Sequence, residues 1–208
     1  MGGSRIPGPV GDVLISGDDL QPPGAGLHDP GSIGLDTGGT TLATTSVEGW
    51  PRDITWDEFR EVSSNPTGGT EDAYISARFD YPWSWENEGR HYRVSQATVR
   101  MQVDEGQSWV VRSRQSDPLL SHEQGHYDLT GLMARDLAGA LARVTASSES
   151  GLRAEVERIA SHYRRHSARL NAQYDTETVH GSNQREQDRW KQRISDAMAN
   201  GTQLAPRP

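Results

Sequence analysis

Leu119-Leu120-Ser121-His122-Glu123-Gln124-Gly125-His126-Tyr127-Asp128 is the stretch from which the rest of the chain is best read. Its two histidines are four residues apart, so on an α-helix they share one face, one turn from each other. Two imidazoles so placed can bind a single zinc ion, each nitrogen about 2.0–2.1 Å from the metal. Glu123 stands beside the first of them, where a carboxylate can take a proton from a water that the metal activates. The residues therefore point to zinc-dependent hydrolysis, with Glu123 as general base.

The flanks supply the helix that this arrangement needs. Leu129, Leu132, Met133, Leu137, Leu141 and Val144 recur at three- and four-residue spacing, and the same step carried backwards reaches His126 and His122. The periodicity predicts one helix over about 118–145, with Pro118 in its first turn. Gly125 costs about 1 kcal/mol relative to alanine inside a helix, and its missing side chain leaves room for neighbouring backbone. Upstream, Ala97, Val99, Met101 and Val103 alternate with polar residues, the period of a strand with one buried face. Asp104-Glu105-Gly106 reads as a turn, and Ser108 to Val111 as a returning partner strand. Residues 74–81 read as another strand, Pro82 to Gly89 as a connection carrying Trp83 and Trp85, and 63–70 as a loop. Ile54 to Phe59 reads as a strand end entering a short helix, with Thr55 as cap and Glu58 as its capping-box partner.

Beyond a break at Ser147–Gly151, Leu152, Val156, Ile159, Tyr163, His166 and Leu170 predict a second helix. Asp175 to Gly181 reads as irregular. Asn183 with Glu186 opens a third helix over about 184–199, with Trp190 and Ile194 on its buried face. The fold class expected is α+β and zincin-like: a small, mainly antiparallel sheet packed on the His-Glu-x-x-His helix, with two further C-terminal helices. The compact domain is expected over 50–200. Residues 1–49, rich in glycine and proline with short strand-like pieces at 12–15 and 40–43, read as a flexible arm, and 201–208 as a frayed tail.

Composition limits the alternatives. A net charge of −8 offers no basic excess to neutralise phosphates, so nucleic acid is not an expected partner. With no cysteine among the 208 residues, neither a disulfide nor a thiolate ligand can form. No apolar run approaches the roughly 20 residues of a membrane span. The N-terminus has no basic start followed by an apolar segment, so no signal peptide is legible and the compartment stays open. The expected partner is a peptide or protein substrate; the oligomeric state is not readable.

A catalytic zinc needs a third protein ligand and an open position. The metzincin extension would require Gly at 129 and His at 132, where this chain has Leu129 and Leu132; the peptide deformylase solution requires a cysteine. The open candidates are His162 and His166 on the second helix, Glu155 and Glu157 as gluzincin-type glutamates, and the cluster Tyr174-Asp175-Thr176-Glu177-Thr178-Val179-His180-Gly181.

The string around His122 and His126, together with Tyr174-Asp175-x-Glu177-Thr178-x-His180-Gly181, resembles a family of predicted bacterial Zn-dependent proteases, domain of unknown function 922. Ile54-Thr55-Trp56-x-x-Phe59, Trp109 and Gln187-x-x-Trp190 also fit its pattern, so the resemblance covers about 54–194. It implies protease chemistry with one catalytic Zn2+ and, for many members, export, from which the absence of a leader departs. Joined to the reading of the residues, it favours His122, His126 and His180 as metal ligands. Asp175 is the second choice for the third ligand, or, with Glu177, a group that holds an imidazole N–H. Tyr174 is expected to donate to the oxyanion beside Glu123. The competing expectations are a zinc-stabilised binding module without turnover, and an exported effector or envelope-remodelling protease.

Overall fold

The computed structural model of the protein describes residues 42–204. In chain order its elements are β1 (Thr44–Glu48), β2 (Arg60–Val62), β3 (Ala73–Tyr74), β4 (Ala77–Asp80), β5 (Trp83–Asn87), β6 (Tyr92–Val103), β7 (Trp109–Val111), α1 (Asp117–Leu141), β8 (Thr145–Ala146), α2 (Glu149–Thr178) and α3 (Gln184–Asn200). The class is α+β, with strands gathered in the first half and helices in the second.

β6 is the hub of a five-stranded sheet. β1 lies parallel to it, while β4, β5 and β8 pair with it antiparallel. Its alternation is as expected: Ala97, Val99 and Met101 are buried, with Thr98, Arg100 and Gln102 turned the other way. A second sheet has the order β2-β7-β3, with β2 parallel and β3 antiparallel to β7. The single, mainly antiparallel sheet is thus corrected to two mixed sheets.

Four local expectations change with it. The strand over 74–81 is split at Ile75–Ser76 into β3 and β4, one in each sheet. Ser108 to Val111 does not return along β6; β7 pairs with β2 and β3 and leads toward α1. The connection over 82–89 contains β5, whose bulge between Ser84 and Trp85 breaks the alternation that would have revealed it. β1 lies inside the stretch read as an arm, so the sheet takes in residues before Trp50; residues 12–15 and the rest of that arm fall outside the described residues.

α1 starts at Ser116, whose Oγ accepts from the Leu119 N–H at 3.4 Å, with Pro118 in the first turn where its missing donor is harmless. It ends at Leu141, and the chain turns into β8 rather than continuing to 145. α1 is apolar on two sides. Tyr127, Ala134, Leu137, Ala138 and Leu141 join Val94, Ala97, Val99 and Met101 of the sheet and Leu152, Val156 and Ala160 of α2 in one core. Leu129, Leu132 and Met133 join Leu170, Tyr174, Trp190, Ile194 and Ala197 in a second core shared with α2 and α3. Each fully buried leucine contributes roughly 1.5–3 kcal/mol.

α2 runs past the expected break at Asp175 and ends at Thr178. Its buried stripe continues through Ser167, Leu170, Tyr174 and Thr178; the Thr178 hydroxyl, buried completely, donates to the Tyr174 carbonyl at 2.7 Å. Polar residues thus extend a helix that an apolar count cuts short. Val179, His180 and Gly181 then adopt left-handed conformations, with φ of 51°, 49° and 80°. For the two residues that carry a side chain, this costs about 1–2 kcal/mol each. Asn183 caps α3 through its side chain. The tail is not frayed from its start: Leu204 is buried in the second core.

Candidate metal centre

Three of the motif's polar residues, Gln124, Tyr127 and Asp128, do not face the histidine pair. Gln124 accepts from the Ile54 N–H at 2.8 Å and donates to the Arg52 carbonyl at 3.1 Å. Asp128 accepts from Gln124 and from the Trp50 indole, at 3.1 and 3.0 Å. The Tyr127 hydroxyl donates to the Gly49 carbonyl, and the Arg52 guanidinium lies over the Tyr127 ring. Gln124, Tyr127 and Asp128 therefore fasten the segment between β1 and β2 to the first half of α1. Burial pushes the Asp128 carboxyl up, against the opposing bonds from Trp50 and Gln124.

On the opposite side, His122 and His126 turn toward α2. Their rings stand edge to face at 4.8 Å. Both Nε2 atoms point at one oxygen: Asp175 Oδ1 is 3.2 Å from His122 Nε2 and 3.0 Å from His126 Nε2. His122, His126 and Asp175 form a group whose ligand atoms all lie within 4.8 Å of one another. Asp175 is reached because α2 remains helical there, so its side chain leaves a rigid element instead of a loop. Burial would raise its pKa, but the hydrogen bonds and charge of the two imidazoles hold it well below the usual carboxylate range. For His126, burial acts downward, and the hydrogen bond to Asp175 with the charges of Glu123 and Asp175 carries it upward.

The far nitrogens are held as well. His126 Nδ1 is 2.7 Å from Asn171 Oδ1, and His122 Nδ1 is 3.1 Å from Gln187 Oε1. An amide oxygen only accepts, so each Nδ1 carries a proton and Nε2 is the nitrogen left for a metal once it gives up any proton shared with Asp175. Two lone pairs and a carboxylate oxygen at such distances repel one another unless a cation or extra protons stand among them. Ligands about 2.0–2.1 Å from a tetrahedral zinc stand about 3.3 Å from each other, close to the 3.0 and 3.2 Å found here. The residues fit a metal ion.

Glu123 adds a buried acid. It is 2% exposed and its Oε2 has no hydrogen-bond partner among the described residues. Burial raises its pKa, against the opposing charges of His126 and His122 and a backbone hydrogen bond at Ile75. A buried carboxyl whose pKa is raised, beside two histidines and an aspartate, has the character of a group that accepts and returns a proton.

The other expected site residues are placed as follows. His180 lies at the rim with its side chain 47% exposed, Nδ1 3.4 Å from Asp175 Oδ1, and it is not in the compact group of three. Tyr174 is completely buried; its ring stacks on His122 at 4.7 Å, and its hydroxyl donates to the His122 carbonyl at 3.2 Å. The room at Gly125 is taken by this side chain and not by backbone, since a Cβ there would overlap the Tyr174 hydroxyl. With its proton given to a backbone carbonyl, Tyr174 is arranged as a support for His122 and not as a donor to an oxyanion. Glu177 accepts from the Trp190 indole and from Gln173, both at 2.8 Å. Glu155 and Glu157 are tied up with Arg158, and with Tyr81, Ser161 and Arg164, respectively. His162 and His166 stack on each other along α2.

Asn171 escaped the sequence reading. A signal was available: Ser167, Asn171, Tyr174, Asp175 and Thr178 continue the helical stripe of α2 with polar residues, a pattern that polar partners on a facing helix would require.

Residues 52–181 match the family described as "Bacterial protein of unknown function (DUF922)", and the chain belongs to that family. The matched stretch contains His122, Glu123, His126, Asp175 and His180. No curated protein and no solved structure matches the chain.

Proposed function

We propose that this member of a bacterial family of unknown function is a zinc-dependent peptidase, with His122, His126 and Asp175 holding the metal and Glu123 as general base. The observation that carries the reading is the convergence of both Nε2 atoms on Asp175 Oδ1, with both Nδ1 atoms already committed to amide oxygens. A zinc ion bound there supplies a Lewis acid that polarises a carbonyl and acidifies water. Glu123 takes a proton from water as its oxygen adds to the scissile carbonyl carbon. It returns the proton to the amine as the C–N bond breaks, so acid and base are one residue. Two histidines and a carboxylate also suit ferrous iron; the buried, unpartnered Glu123 oxygen supports hydrolysis over that choice.

No helix among the described residues is long and apolar enough to cross a membrane. The substrate enters from the side where Asp175 and His180 are partly exposed.

The test is metal analysis of protein purified without chelator, followed by peptide hydrolysis by wild type and Glu123→Gln. We expect about one zinc per chain in both, and a rate lower by about 10²–10⁴ in the variant, the range for loss of a general base. Absence of zinc from the wild type, or full activity in the variant, overturns the reading.

A second reading has one observation in its favour, the approach of His180 Nδ1 to within 3.4 Å of Asp175 Oδ1. Were His180 a fourth ligand, the site would be closed and structural, a zinc-stabilised binding module. His180→Ala separates the two. The peptidase keeps its zinc when His180 is lost and releases it when Asp175 becomes alanine; the closed site is weakened by both changes.

A further inference from the structure

Gln187, His122 and Tyr174 form a closed ring of hydrogen bonds, and its polarity can be worked out atom by atom. The Tyr174 hydroxyl has one proton, and its partner at 3.2 Å is the His122 carbonyl, which can only accept. The Tyr174 oxygen must therefore meet the Gln187 amide as an acceptor, and Gln187 Nε2 donates to it. That fixes which end of the amide faces His122: Oε1, 3.1 Å from Nδ1. The ring starts on the carbonyl of His122 and closes on the imidazole of the same residue.

The reverse sense is chemically possible but poorer. Tyr174 would donate to Gln187 Oε1, Gln187 Nε2 would donate to a bare Nδ1, and the His122 proton would move to Nε2, facing Asp175. That arrangement forfeits the Tyr174 bond to the His122 carbonyl and blocks the nitrogen that a metal needs. Water cannot repair the loss, because Gln187, Tyr174 and His122 are 6%, 0% and 2% exposed.

We propose that Gln187 is a positioning residue which holds the His122 proton on Nδ1 and so presents Nε2 as a metal-binding lone pair, with Tyr174 setting the sense of the amide. The proposal rests on the site being a metal site. It makes α3, which lies beyond the matched stretch 52–181, a working part of the centre. Trp190, one turn after Gln187 on α3, packs against Tyr174 at 5.5 Å and donates to Glu177, which holds the tyrosine ring in place. His126 has an independent lock of the same kind on α2. There Asn171 Nδ2 donates to the Ser167 carbonyl at 2.9 Å, and its oxygen is left for Nδ1.

The experiment compares the full chain with Gln187→Leu, Gln187→Glu and Tyr174→Phe. The zinc dissociation constant is measured by competition with a chromophoric chelator, and the 15N shifts of the His122 imidazole are measured in metal-free protein. Gln187→Leu is expected to weaken zinc about 10–100-fold, as removal of a partner behind a ligand does. Gln187→Glu retains an acceptor at Nδ1 and is expected to bind within a few-fold of wild type, while Tyr174→Phe falls between. In metal-free wild type, His122 Nδ1 is expected to show the shift of a protonated nitrogen.

Wild-type affinity in Gln187→Leu, equal losses in the leucine and glutamate variants, or an unprotonated Nδ1 in the wild type each overturn the proposal. Unchanged affinity and nitrogen shifts in Tyr174→Phe overturn the part assigned to the tyrosine. A wild type without zinc affinity defeats the peptidase reading, and the nitrogen shifts, which need no metal, still decide on Gln187. They also decide if Gln187→Leu does not fold.

Discussion

The two cores that flank α1 are built by different rules. The one toward the five-stranded sheet is filled with residues such as Val94, Ala97, Val99, Leu137, Leu141 and Leu152, each at its place in a period of two or of 3.6. The one shared with α2 and α3 has an apolar floor of Leu129, Leu132, Met133, Leu170 and Ile194. Its upper end is a buried polar mesh of His122, Glu123, Tyr174, Thr178 and Gln187. The first core can lose or gain a methyl group and remain the same kind of object. The second is constrained by the direction of every proton, because a buried group that loses its partner costs about 1–3 kcal/mol with no compensation from water. Both cores are filled with buried apolar side chains, but the polar groups of the candidate site are gathered at the helical one.

The comparison can be broken first where the effect is largest. Leu137→Ala, on the sheet side, should cost about 2–5 kcal/mol in urea unfolding while the folded protein binds zinc as before. A matching loss of zinc affinity would mean that the cores are not separable. Next comes Asn171→Leu on the helical side, with zinc affinity down about 10–100-fold and a smaller change in melting temperature than Leu137→Ala produces. If the order of those two melting temperatures reverses, the division of labour is wrong.

The smallest effect sharpens the comparison through pH. Asp175 is depressed from its ordinary 3.8, so its stabilising contribution is complete above that value and is lost as the pH falls through the folded value. His126 is raised from its ordinary 6.5, so its contribution is complete below that value and is lost as the pH rises through the folded value. In chelator-treated protein, the drop in melting temperature caused by Asp175→Asn should be greatest between 3.8 and 6.5 and shrink on both sides. The drop caused by Leu137→Ala should show no such window.

The two rules also decide what could be read in advance. α1, α3 and β6 are legible because apolar periodicity marks them, and the Thr55–Glu58 capping box is found as expected, with the Thr55 N–H bonded to the Glu58 carboxylate at 3.1 Å. β5 is hidden by its bulge, and the joining of β1 to β6 is a pairing across 52 positions that no local signal carries. His122, Glu123 and His126 announce themselves by spacing on one helix. The choice between Asp175 and His180 turns on whether α2 ends before or after residue 175, and the polar side chains that prolong it are those an apolar stripe leaves out. Asn171 and Gln187 act through geometry between helices, which spacing within one helix does not encode.

The bonds around the histidines join residues 45, 49, 53 and 65 positions apart. Closing loops of that length costs entropy that has to be met before these bonds are gained. The centre is complete only when all three helices have docked, since His122 and His126, Asp175 and Asn171, and Gln187 come from α1, α2 and α3 in turn. A ligand that grips such a site acts on the return journey: it lengthens the lifetime of the finished molecule and does little to hasten its making.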